Sequence, residues 1–87
     1  MSDIHALLNE RSERYGTFEN HAAISQSLKR VMFATGKSLD DDQSEALEMI
    51  AHKIARILNG DPNYVDSWLD IAGYATLVAE RLNGNKL

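Results

Sequence analysis

Apolar positions in this chain recur every three or four residues, and nowhere do they alternate over a convincing length. A spacing near 3.6 lines up one face of a helix, whereas a spacing of two marks a strand. The pattern therefore predicts an all-α fold with four helical segments. The first spans residues 3–14, with Ile4, Leu7 and Leu8 apolar. The second spans 18–34, with a stripe of Ile24, Leu28 and Val31. The third spans 39–58 and carries Leu47, Ile50, Ile54 and Ile57. The fourth spans 64–82, where Val65, Trp68, Ala72, Ala75, Ala79 and Leu82 repeat at alternating steps of three and four.

Punctuation agrees with these bounds. Gly16, Gly36, Gly60 and Gly84 stand where helices would stop, and glycine just past a helix end takes the left-handed conformation at little cost. Ser2 or Asp3, Thr17, Ser38 and Asn63 are the expected N-caps, with Asp41 completing a loose capping box from Ser38. Asp40, Asp41 and Asp42 suit the positive end of a helix dipole. The loop Asn59-Gly60-Asp61-Pro62-Asn63 is short, so the two long C-terminal helices must form an antiparallel hairpin. The expected architecture is one small bundle of three to four helices.

The fourth helix departs from simple amphipathicity. At about 100° per residue, its main stripe centres on Trp68, Ala75 and Ala79, while the opposite side carries Asp66, Asp70, Gly73, Tyr74 and Leu77. From Ile71 to Ala79 it is apolar nearly all round. Such a helix is covered on more than one side, and a chain this small has few elements to do it. A second copy of the chain or a partner protein is the expected cover, in preference to the first and second helices.

Composition narrows the function classes. The 87 residues suffice for one domain, and 44% hydrophobic with 25% charged residues is ordinary globular usage. Cysteine is absent, which excludes disulfides, thiol catalysis and thiolate metal sites. The net charge of −4 argues against a basic nucleic-acid surface, and the acidic, apolar fourth helix is no DNA-reading helix. No apolar run is long enough to span a membrane, and no secretory leader pattern occurs. A cytoplasmic protein is expected, in the cytoplasm of a bacterial host if phage-encoded.

Few residues point to chemistry, and no catalytic residue can be named. Glu45 and Glu48 lie three apart on the third helix, a spacing that can share Mg²⁺. Lys53 and Arg56 follow, two cations that can hold phosphate oxygens or pair with Asp66 and Asp70 on the next helix. Asp70 sits mid-helix beside apolar neighbours and needs a cation, a metal or hydrogen bonds. Gly73, costly inside a helix by about 1 kcal/mol, suggests the close approach of another backbone or a ligand. Arg14-Tyr15-Gly16-Thr17-Phe18 reads as a helix–helix corner with aromatic plugs, or as an anion site through Arg14. His52 is expected to pair with Glu48 on the surface, and His21 is expected to be a surface or packing residue.

Arg14-Tyr15-Gly16-x-Phe18, Lys53-Ile54-Ala55-Arg56-Ile57 and Asp66-Ser67-Trp68-Leu69-Asp70-Ile71-Ala72-Gly73-Tyr74 together resemble a family of small bacteriophage and prophage proteins. More distantly the chain is similar to phage nucleotide-modification-associated helical domains and to the all-α NTP pyrophosphatases. The latter resemblance implies oligomers and Mg²⁺ held by E-x-x-E on one helix and E-x-x-D on the next. Glu45 and Glu48 match the first pair. The second is unmatched, because Ser67 stands three before Asp70.

Two functions follow. The first is a phage-type accessory protein that acts by binding, an anti-defence or host-directed inhibitor, with no cofactor required and a second copy or a host protein as partner. The second is a nucleotide-binding or pyrophosphohydrolase-like protein. There Lys53, Arg56, Asp66, Asp70, Tyr74, Arg14 and Tyr15 line the ligand, and Glu45, Glu48 and Asp70 hold Mg²⁺.

Overall fold

The computed structural model describes residues 2–86, and its four helices are α1 (Ser2–Tyr15), α2 (Phe18–Met32), α3 (Asp41–Asn59) and α4 (Val65–Leu82). Among the described residues there is no strand. The all-α architecture and the antiparallel α3–α4 hairpin match the pattern of the sequence.

The helix ends differ by a residue or two, for local reasons. Thr17 caps α2 as expected, its hydroxyl accepting from the Asn20 N–H at 3.3 Å. The N-cap of α3 is Asp40, not Ser38, because Gln43 folds back to accept the Asp40 N–H at 2.9 Å. Tyr64, not Asn63, occupies the N-cap position of α4. Gly16, Gly36 and Gly84 take positive φ, but Gly60 does not, with φ −136°. Its constraint is room. A Cβ on Gly60 would overlap the Arg14 carbonyl oxygen and the Tyr15 backbone, and one on Gly16 would overlap Asn59.

The helices form an open layer. α3 lies in the middle, α2 packs on one side and α4 on the other, and α2 and α4 do not touch. α1 makes only slight contact with α2 and α3. Asp42, Ala46, Lys53 and Ile57 fall on one stripe of α3, which faces α4 through Asp42 and Lys53. Ala51, His52 and Ala55 belong to a second stripe, which faces α2 through His52. Among the described residues the buried apolar ones are accordingly Ala46, Ala51, Ala55 and Ile57, and no large side chain is fully enclosed.

The expected core stripes are mostly outside. Ile24, Leu28, Ile50 and Ile54 are half-buried, while Val31 is 75% exposed. On α4 the side turned to α3 is Ser67, Asp70, Tyr74, Val78 and Arg81. The stripe of Val65, Trp68, Ala72, Ala75 and Ala79 faces away and is exposed. Trp68 is 54% exposed even though its indole N–H donates to the Pro62 carbonyl at 2.9 Å. α1 and α2 thus leave α4 uncovered. Gly73 lies in open space within this chain, without the close neighbour expected of it.

Gly60→Ala is expected to destabilise the fold by about 1–3 kcal/mol, the usual cost of overpacking. Gly73→Ala, with nothing to meet its methyl group, is expected to be neutral or to stabilise by up to about 1 kcal/mol. Paired urea melts of the two variants check both.

Candidate functional site

The residues singled out in the sequence separate into three places. The first is a corner where the α1–α2 turn meets the α3–α4 turn. Asn59 sits at the end of α3, and its side-chain amide donates to the Tyr15 and Thr17 carbonyls, each at 2.9 Å. The Asp61 N–H donates to the Arg14 carbonyl at 2.8 Å. Above these bonds the aromatic and cationic groups interleave. The Arg56 guanidinium lies 4.3 Å over the Tyr15 ring, and Arg14 lies 4.5 Å over the Tyr64 ring. Tyr15 and Tyr64 meet edge to face at 6.1 Å. The Tyr64 hydroxyl donates to Asp66 at 3.0 Å, and this bond raises the Tyr64 pKa. Arg14 keeps much of its side chain open to solvent, where a cation–π contact is at its weaker end.

Arg56 therefore does not pair with Asp66 or Asp70; it lies over Tyr15, with no carboxylate partner among the described residues. Phe18 does not plug the corner and is 80% exposed.

The second place is the middle of the hairpin. Lys53 Nζ lies 2.8 Å from Asp70, the pairing anticipated as an alternative to a phosphate site. Asp70 is not in a dry setting, since its side chain is 47% exposed against 13% for Lys53. A pair this open contributes under about 1 kcal/mol. One helical stretch further on, Arg81 makes a fork with Asp42 and also bonds Asp40. The guanidinium lowers the Asp42 pKa, and the two carboxylates raise that of Arg81.

The third place is the groove between α3 and α4 where Tyr74 stands opposite Glu45. Tyr74 is thus away from Arg14, Tyr15 and Arg56. Glu45, Glu48 and Asp70 do not converge: among the described residues no group of three His, Asp or Glu side chains is placed to hold a metal ion. Asp70, moreover, directs an oxygen at Lys53. Within one chain these residues do not fit the Mg²⁺ centre that the pyrophosphatase resemblance implies.

His52 pairs with His21 of α2 rather than with Glu48, ring nitrogen to ring nitrogen at 3.3 Å. The rings meet edge-on at 4.4 Å. His21 is only 6% exposed, and its Nδ1 is buried without a hydrogen-bond partner. Burial, followed by the nearby Arg56 and Lys29, lowers the His21 pKa. Burial, then His21, Arg56, Lys53 and Lys29, pushes His52 down to about 4. Both rings are neutral at pH 7, so one donates its N–H and the other accepts. Their separation of 31 residues across two helices leaves no local signal in the sequence.

A histidine whose folded pKa is depressed opposes protonation of the native state. The stability it supports is present above the unfolded pKa near 6.5 and is lost as pH falls toward the folded value near 4 for His52. Melting temperature is expected to decline from pH 6.5 to 4.5. His52→Asn, which keeps a polar atom near the Nδ1 position and cannot titrate, is expected to flatten that decline.

No helix among the described residues is long and apolar enough to cross a membrane. Comparison with characterised proteins and with solved structures returned no match. A family model does match, across residues 2–82, and its description is a domain of unknown function, DUF6378. That description carries no activity and no phage or pyrophosphatase link to the corner, the hairpin pair or the groove. With nearly its whole length matched, helices α1 to α4 included, the chain belongs to the DUF6378 family.

Proposed function

We propose that the chain is a helical binding protein that works as an assembly, with a second copy of itself seated on the outer face of α4. One observation carries this reading: the most continuous apolar stripe of α4, from Val65 through Trp68, Ala72 and Ala75 to Ala79, has no cover among the described residues.

Two measures of shape support it. A monomer of 9.7 kDa would expose about 5,100 Å² by the usual scaling of surface with mass. This chain exposes 6346 Å², an excess of about 1,200 Å². A standard stable interface removes about 800 Å² per partner and an obligate one more, so the excess has the size of one homodimer face. The radius of gyration is 15.1 Å, against about 12 Å for a compact chain of this length.

The chemistry of the stripe suits a helix. Ala72, Ala75 and Ala79 allow a neighbouring backbone to approach closely, and Trp68 supplies one large anchor at the end of the row. A two-fold pair would bury the same stripe from both copies. This reading keeps the expectation of a small protein acting by binding, as the resemblance to phage accessory proteins suggests.

Sedimentation or light scattering is expected to give twice the mass of 9.7 kDa. Ala72→Glu, placed in the middle of the stripe, is expected to yield monomers with a lower melting temperature. A wild-type chain that stays monomeric and still melts cooperatively would overturn the pairing and leave the stripe to a foreign protein.

A further inference from the structure

A cleft of about 440 Å³ opens where α1, the Gly16 turn, α2 and α3 meet. Its charged and aromatic lining is Arg11 and Tyr15 from α1, Phe18 and His21 from α2, and His52 and Arg56 from α3. The volume lies within the range of small-molecule sites, roughly 300–1,000 Å³.

Three features of the cleft point to one class of ligand. The first is charge. The lining holds two guanidinium groups and no carboxylate, in a chain whose net charge is −4. Among the described residues neither Arg11 nor Arg56 is in a salt bridge. The charges that act on the histidine pair are likewise cationic: Arg56 and Lys53 from α3 and Lys29 from α2. A concentration of positive charge against low-dielectric walls attracts an anion, and guanidinium forks match carboxylate and phosphate oxygens.

The second feature is a free ring. Phe18 lies on the cleft wall, 80% exposed, and is stacked on only one neighbour, His21, at 6.1 Å and 29°. A large exposed aromatic beside a cleft offers apolar area for a flat partner. The third is an unanswered polar atom. His21 is more than nine-tenths buried and lines the cleft, and its Nδ1 has no hydrogen-bond partner. Buried polar atoms are almost always paired.

We propose that this cleft is a binding site for a small organic anion carrying a flat ring, its charged group held by Arg11 and Arg56 and its ring against Phe18. A carboxylate and a phosphate monoester share this chemistry. The cleft includes no residue of the α4 stripe, so the assignment is independent of how the chain assembles.

Phenyl phosphate, benzoate and inorganic phosphate are the probes, titrated while the ring-proton resonances of His21 and His52 are followed by NMR. Phenyl phosphate or benzoate is expected to move both sets of resonances. The tighter of the two identifies the anion. The bound anion offsets the cationic surroundings, so the pH at which both histidines titrate is expected to rise toward 6.5. Inorganic phosphate, lacking the ring, is expected to bind about ten-fold more weakly. Arg11→Gln, at an exposed position of α1, is expected to weaken binding about five- to ten-fold with an unchanged melting curve. Phe18→Ala is expected to bring phenyl phosphate down to the level of inorganic phosphate. Histidine resonances that stay still at tens of millimolar phenyl phosphate and benzoate would overturn the site. Equal affinity for phosphate with and without the ring would do the same, as would an Arg11→Gln variant that binds like wild type.

Discussion

α2 and α4 meet only through α3, so the middle helix has to be narrow on two sides at once. Alanine supplies that narrowness. Ala51 and Ala55 lie toward α2 and Ala46 toward α4, and each is buried. With no bulk at these points the flanking helices come close enough for long polar side chains to reach across. The His21–His52 contact on one side and the Lys53–Asp70 contact on the other both depend on that distance. A larger residue at any of the three alanines would spread the layer and break polar contacts as well as apolar ones.

The polar contacts add little net stability, but they determine alignment. Asp42 and Lys53 are eleven residues apart on α3, and their partners Arg81 and Asp70 are eleven apart on α4. Eleven residues is about three helical turns. Both pairs are therefore satisfied by a single sliding position of the antiparallel hairpin. A shift by one turn would leave two cations and two carboxylates unmatched. Such exposed pairs are weak individually, yet together they select one register from several that an alanine-lined contact would accept.

The existence and order of the helices were legible because the 3.6-residue pattern is strong in each segment and each turn carries glycine or a capping residue. The hairpin was legible from the short loop at 59–63, and Lys53 with Asp70 from their places on its two arms. The sites were harder to read for two reasons. The first is that contacts across the layer join residues 31 to 50 apart, such as His21 with His52 and Arg14 with Tyr64, and such pairs have no local signature. The second is that the hydrophobic pattern names the apolar face of a helix without saying what covers it. On α4 the strongest stripe was correctly located, but it faces away from α3, and the weaker stripe with Asp70 and Tyr74 makes the contact. The apparent need of Asp70 for a dry ion pair came from its apolar neighbours along the helix, of which Leu69 and Leu77 are themselves exposed.

The corner has a consequence for how the chain reaches this state. The helices and the hairpin are quick to form: helices appear in about a microsecond, and a hairpin joined by five residues closes fast. The bonds of Asn59 to Tyr15 and Thr17 instead span more than forty residues, and they can form only when both reversals of the chain already exist. Closing so long a loop is entropically expensive and is repaid only at the end. Beyond this corner α1 makes only slight contact with α2 and α3, so opening the corner would free α1 while leaving the α2–α3–α4 layer whole.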